Sequence, residues 1–320
     1  MKHSLRIKIS LLLTLTVAAI SLSACAPAAS GSDGATSELT IVTSFYPMYD
    51  FARKVAGDRA TIHNLVPPGS EPHDWEPTPS DMVLISEADI LIYNGAGMEL
   101  WVDDVLSATD SSKLLVVNAS EKITLRPAEH HDEEDADHEG EESDDHGAYD
   151  PHVWLNPMYA KEQMRAIYEA LVKTDPANEA YYEENFNTYS AEFDLLDQEF
   201  SEALEKISQR NIVVAHEAFG YLCDQYDLTQ VGIEGIAADS EPDAARMAEI
   251  IDFVQENDVR VIFFEELVSP TVAEAIAADT GVTTDVLNPI GGLTQAQLDA
   301  GEDYFSIQRQ NLAALVRATA

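Results

Sequence analysis

The chain has 320 residues, 45% hydrophobic and 8% aromatic, enough apolar material for packed cores and enough length for two lobes. Eighteen Lys and Arg stand against 58 Asp and Glu, a formal charge of −40. Nucleic-acid binding needs a basic face that displaces phosphate counterions, so that class is set aside, while the carboxylate excess gathers cations around the body without selecting one.

In chain order, residues 1–24 read as a secretory signal peptide. Lys2, Arg6 and Lys8 precede the apolar run "LLLTLTVAAISL", which is too short and wrongly flanked to span a bilayer. The run closes on "LSAC" (Leu22–Cys25), which resembles the bacterial lipobox, whose cysteine is acylated and becomes the mature N-terminus. Cys25 is therefore the expected lipidation site, with an ordinary cleaved signal as the alternative. Residues 25–38, "CAPAASGSDGATSE", form a flexible small-residue tether. Lipid chains anchor and do not span, so the expected place is outside the bacterial cell membrane, held to it by lipid. With Cys25 acylated, Cys223 stands alone and stability must come from the cores rather than from a disulfide.

Short β-branched runs then alternate with longer periodic segments, the pattern of a parallel α/β sheet. The spacing predicts strands at Leu39–Ser44, Ala60–Val66, Asp89–Asn94 and Lys113–Asn118 in an N-terminal lobe, residues 39–177. A second set at Asn211–His216, Gln230–Ile236, Val259–Glu265 and Thr283–Asn288 gives a C-terminal lobe, residues 211–320. Between the lobes, residues 178–210 place Tyr182, Phe186, Tyr189, Phe193, Leu196, Phe200, Leu204 and Ile207 at steps of three or four, the stripe of one long linking helix. The expected fold is thus α/β: two Rossmann-like lobes with parallel sheets, joined by a single rigid α-helix that allows only small tilting.

One segment fits no element. From Glu129 to His146 there are eleven carboxylates, four histidines and no Lys or Arg, so residues 129–147 cannot form a core and are expected to be a disordered acidic loop. Its His130, His131, His138 and His146 offer weak, exchangeable metal binding; the alternative is a solvated spacer.

The remaining histidines carry the chemistry. His63 lies inside a predicted strand and reads as structural. His73 sits in the proline-pinned loop "PPGSEPHDWEPTPSD", His152 in "DPHVWLNP", and His216 ends "NIVVAH". All three lie in loops or at the carboxyl end of a strand, where open parallel sheets bind ligands. Two facing lobes would bring them to one metal ion in the cleft. Three imidazoles favour Zn²⁺ over the more oxygen-seeking Mn²⁺. Asp74, Glu76, Asp150, Glu217 and Glu265 are the acceptors available to orient the rings.

These three motifs, in this order and with a long helix between the last two, resemble the metal-binding solute-binding proteins of ABC importers, most closely the zinc-uptake branch, over about residue 39 to the C-terminus. The resemblance implies two α/β lobes on a rigid helix, with His73, His152 and His216 as ligands and Glu265 and Asp150 behind them. It implies Zn²⁺ as cargo, an ABC permease as partner, a lipid-anchored and monomeric chain, and no enzyme. Zinc relatives often carry a His-rich acidic insert before the second motif, as here, whereas manganese relatives place a carboxylate at the third position. The fourth ligand departs from the pattern. Where a carboxylate is expected after the last strand, "LNPIGGL" offers Asn288 and Gly291, leaving water, Asn288 or Glu217. Three readings follow: capture and delivery of Zn²⁺ (or Mn²⁺), a zinc-dependent hydrolase, and a surface adhesin or metal buffer acting through the acidic loop. No "HExxH" helix supports the second.

Overall fold

The computed structural model describes residues 39–109, 113–128, 148–236 and 242–319. The signal, the tether with Cys25, and the acidic loop with its four histidines lie outside those residues.

All eight predicted strands form, each shorter than predicted, and the sixth begins one residue earlier, at Thr229. The first sheet contains β1 (Leu39–Thr43), β2 (Ala60–Asn64), β3 (Ile90–Tyr93) and β4 (Leu115–Asn118); the second contains β5 (Asn211–Val214), β6 (Thr229–Gly232), β7 (Val261–Phe264) and β8 (Thr283–Val286). Both are fully parallel and share one order, β2-β1-β3-β4 and β6-β5-β7-β8. Chain order reverses between the two central strands of each sheet, which puts a ligand-binding crevice beyond β1 and β3, and another beyond β5 and β7. The central strands are apolar on both faces, as buried parallel strands are. Ile41, Ile90 and Ile92 join one core while their neighbours Val42 and Leu91 join another on the opposite face; Ile212 and Val214 alternate in the same way with Val213.

The helices of the first lobe are α1 (Tyr46–Ala56), α2 (Pro79–Glu87), α3 (Val102–Ala108) and α4 (Pro157–Thr174). The sequence-based reading does not identify α4. Asn156 caps it, its side-chain oxygen accepting from the N–H groups of Met158 at 2.9 Å and Tyr159 at 3.3 Å, with Pro157 at the first helical position. The linking helix α5 runs Glu179–Leu204, shorter than predicted; residues 205–210 leave it to deliver the chain to β5, although Ile207 stays buried. Its 26 residues span about 39 Å. Asn185, near its start, donates to the Val55 carbonyl of α1 at 3.0 Å. Near its end Phe200 stacks at 5.1 Å on Tyr226 of α6 (Gly220–Tyr226), and Tyr226 donates to Asp197 at 3.0 Å. One helix therefore packs on both lobes.

The second lobe adds α7 (Ala244–Glu256), α8 (Thr271–Thr280), α9 (Gln295–Asp299) and α10 (Tyr304–Thr319). The start of α10 returns to the first lobe: Tyr304 meets Phe51 edge-on at 5.1 Å and donates to the Trp154 carbonyl at 2.7 Å. Lys54 of α1 bridges Asp50 and Asp303, each at 2.8 Å. The largest core cluster accordingly runs without a break from Ile41 of the first sheet to Phe263 of the second. The linking helix is thus one part of a wider buried seam.

Candidate metal site

His73 lies on the loop between β2 and α2, which four prolines, Pro67, Pro68, Pro72 and Pro77, hold out of regular structure. Its path is fixed against the other lobe by the Gly69 N–H, which donates to the Leu293 carbonyl at 2.9 Å. His152 opens a short 3₁₀ turn, Val153–Leu155, just before the cap of α4, so the motif that supplies the imidazole also starts a helix. His216 follows β5 by two residues, at the crevice of the second sheet.

The three rings converge. His152 Nε2 is 3.0 Å from His73 Nε2 and 3.1 Å from His216 Nε2, and one ligand atom from each residue lies within 4.8 Å of the others. His152 and His216 are each 1% exposed and His73 is half-buried.

Carboxylates fix the ring orientations. Asp150 Oδ1 accepts from His152 Nδ1 at 2.9 Å and from the His152 backbone N–H at 2.9 Å. Glu265, the first residue after β7, accepts from His216 Nδ1. An ionised carboxylate only accepts, so Nδ1 is the donor on both rings, and in the neutral imidazole this leaves Nε2 to present a lone pair. At 3.1 Å the Nε2 atoms of His152 and His216 stand close enough to share a proton or, with both rings neutral, to hold one cation between them. A cation is the natural occupant: a tetrahedral ion at about 2.0–2.1 Å from each nitrogen sets them roughly 3.3 Å apart.

Protonation follows the same logic. Burial, then the charge of His216, holds His152 well below the usual histidine range. Burial opposes a charge on His216, but the carboxylate of Glu265, with Glu71 and Glu234 beyond it, raises its pKa overall. Burial pushes Asp150 up to about 7 against the His152 N–H and Arg126.

The other expected residues divide between the surroundings and the recess itself, which Asn288 also lines. Asp74 and Glu76 are exposed and line an outer groove of about 690 Å³ with Trp75 and Trp101. Glu217 folds over β6, where a Cβ on Gly232 would meet its Cγ at 2.3 Å. The Asn288 amide holds its own loop, Oδ1 accepting from Ile290 N–H at 2.7 Å and Nδ2 donating to Glu266 at 2.9 Å. His63 remains on β2, away from the cluster.

Glu71, which the sequence analysis does not single out, lines the same recess as His73, His152 and Glu265. Its carboxylate accepts from the His73 backbone N–H at 3.3 Å, and burial raises its pKa while His216 lowers it. The signal available was its place two residues before His73, but a side-chain direction inside an irregular loop has no period to predict it.

The recess is about 10 Å³, room for one water. Its cover is the loop after β8: Trp154 donates to the Pro289 carbonyl at 2.7 Å, and Gly291 packs so closely that a Cβ would lie 3.0 Å from Pro72.

Residues 41–318 match the family model described as "ZnuA: Zinc-uptake complex component A periplasmic". The chain belongs to the ZnuA family. It is 42% identical over 283 residues to the high-affinity zinc uptake system protein ZnuA of Bacillus subtilis (strain 168), covering 88% of each. It is 38% identical over 312 residues to the zinc-binding lipoprotein AdcA of Streptococcus pneumoniae, covering 98% of this chain and 61% of that one, so it spans about three fifths of that relative. The crystal structure of the Zn(II)-bound ZnuA-like domain of pneumococcal AdcA superposes with a TM-score of 0.76 at 36% identity, covering 88% of this chain and 99% of that domain. Two parallel-sheet lobes joined by a long helix are thus the form this ZnuA-family chain shares with a zinc-bound relative.

Proposed function

We propose that this chain captures Zn²⁺ outside the cytoplasmic membrane and delivers it to the permease of an ABC importer, working as a lipid-anchored monomer tethered through Cys25. The observation that carries the reading is the convergence of three Nε2 atoms, His152 standing 3.0 Å from His73 and 3.1 Å from His216, with buried carboxylates behind the His152 and His216 rings. His73, His152 and His216 are the ligands, and Glu71, which lines the recess beside them, is the carboxylate proposed to complete a tetrahedron. Two ligands come from the first lobe and one from the second, so a tilt of the lobes stretches the site and lets the ion go. Three neutral nitrogen donors suit zinc better than manganese. The names of the relatives, a zinc uptake protein and a zinc-binding lipoprotein, point the same way.

A hydrolase would share such a metal but needs room for a substrate beside it. The recess holds about one water, and of the three imidazoles the 690 Å³ groove reaches only His73. Hydrolysis screens on the zinc-loaded chain are expected to read background.

Calorimetry tests the assignment. One tight Zn²⁺ per chain is expected, lost when His73, His152 and His216 are all replaced by Ala. Wild-type affinity in that triple variant would refute it.

A further inference from the structure

Behind His152, both lobes meet on one carboxylate. Asp150 is fully buried; its Oδ1 is taken up by His152, and its Oδ2 has no hydrogen-bond partner among the described residues. The cation facing Oδ2 is Arg126, at 3.8 Å. Arg126 and Asp150 are neighbours because their backbones pair: Asp150 N–H donates to the Arg126 carbonyl at 2.9 Å. Arg126 also reaches the second lobe, its Nε 3.2 Å from Asp224 Oδ2. Tyr221, on α6 of the second lobe, accepts from Arg126 N–H at 2.9 Å and donates to the Asp150 carbonyl at 2.8 Å. Gly220 closes the arrangement, since a Cβ there would stand 2.6 Å from Asp150 Oδ2 and 2.7 Å from the Arg126 guanidinium.

Resting on the zinc-capture reading above, we infer that Arg126, Tyr221 and Gly220 are positioning residues for the metal: a clamp assembled from both lobes that holds the Asp150 carboxylate against His152. A carboxylate aimed at Nδ1–H fixes the ring and makes Nε2 a better donor, and losing such a partner typically weakens metal binding 10–100-fold. The clamp is complete only while α6 lies against the first lobe. Moving the lobes apart withdraws Tyr221 and lets water reach Asp150. His152 then loses its orientation although Asp150, the carboxylate that fixes its ring, belongs to its own lobe. Release therefore acts on a first-lobe ligand as well as on the distance to His216.

The test compares the wild type with Arg126→Gln, Arg126→Lys, Tyr221→Phe and Gly220→Ala. It reads Zn²⁺ affinity by chelator competition, the ligand-field spectrum of the Co²⁺-loaded chain, and thermal stability without metal. Arg126→Gln and Gly220→Ala are expected to weaken zinc about ten-fold or more and to alter the Co²⁺ bands. Tyr221→Phe, which keeps the ring and removes only the hydroxyl, is expected to weaken zinc by a smaller factor, and Arg126→Lys to recover part of the loss. Wild-type affinity and spectrum in the folded variants would overturn the inference, as would a fall in metal-free stability with an unchanged Co²⁺ spectrum. Should the larger changes prevent folding, Tyr221→Phe decides alone. A wild type that binds no zinc defeats the capture reading itself; a zinc-binding wild type matched by Arg126→Gln defeats only the clamp.

Discussion

Glu265 and Asp150 turn two histidines into directed donors, and both residues hold a buried oxygen without a hydrogen-bond partner among the described residues. Glu265→Gln keeps the shape and removes the charge behind His216; zinc affinity is expected to drop 10–100-fold, read by chelator competition. Glu71→Gln tests the fourth donor: a loss of about ten-fold is expected if the carboxylate reaches the ion, and wild-type affinity if water takes that position. His73 and His152 are legible because prolines mark their loops as stiff, and His216 because it ends a predicted strand at the edge where parallel sheets bind ligands; any one alone would read as structural, and it is the three together that point to a metal. Asn288 and Glu217 were named for their place along the chain. Their side chains turn elsewhere, one to Ile290 and Glu266 and the other over Gly232, and neither direction follows from a period in the sequence.

At the scale of elements, the two sheets share one order and use their crevices differently. The second crevice holds His216 after β5 and Glu265 after β7. The first is filled by Glu99, whose carboxylate accepts from Ser44 Oγ at 2.6 Å, Asn94 N–H at 2.8 Å and Gly95 N–H at 3.0 Å. Asn94 in turn donates to the Pro151 carbonyl at 2.9 Å, so this crevice steadies the His152 loop. Burial pushes Glu99 from 4.5 up to about 7, so across that window the folded chain keeps a proton the unfolded chain has lost. Stability contributed by this group must fall as pH rises from about 4.5 to 7 and then level off. Glu99→Gln is expected to remove that slope relative to the wild type, measured as urea midpoints across and above the window. Lys54→Met leaves the buried Asp50 without its cation and is expected to cost about 3 kcal/mol, read by urea unfolding. The strands could be read from their β-branched runs. The Lys54 bridge could not, because its partner Asp303 lies 249 residues away in sequence and no local pattern announces it.

For the whole molecule, one core cluster continues through both sheets, α5 and the returning α10. A single unfolding transition is expected, moving upward as a unit when zinc is added; two calorimetric transitions would contradict it. The linking helix was legible from its stripe, but the return of α10 was not, since an amphipathic C-terminal helix does not say which lobe receives its apolar face. The ends of the acidic loop meet at a short antiparallel stem, Pro127 opposite Tyr149, with Ala128 N–H donating to the Ala148 carbonyl at 3.2 Å. Joining the chain across residues 129–147 should therefore leave the stem in place. Calorimetry of the shortened chain is expected to keep the tight zinc and lose only weaker additional binding.

The smallness of the recess, about 10 Å³, has a bearing on which ions can be taken up. A hexahydrated cation is far larger than this space, so an ion must shed nearly all of its aqueous coat to sit among the imidazoles. Magnesium gives up its waters reluctantly and wants an octahedron of oxygens, and calcium wants six to eight oxygen neighbours. Zinc must shed its water too, but imidazole nitrogens replace that water well, whereas magnesium and calcium find no such replacement in a recess this small.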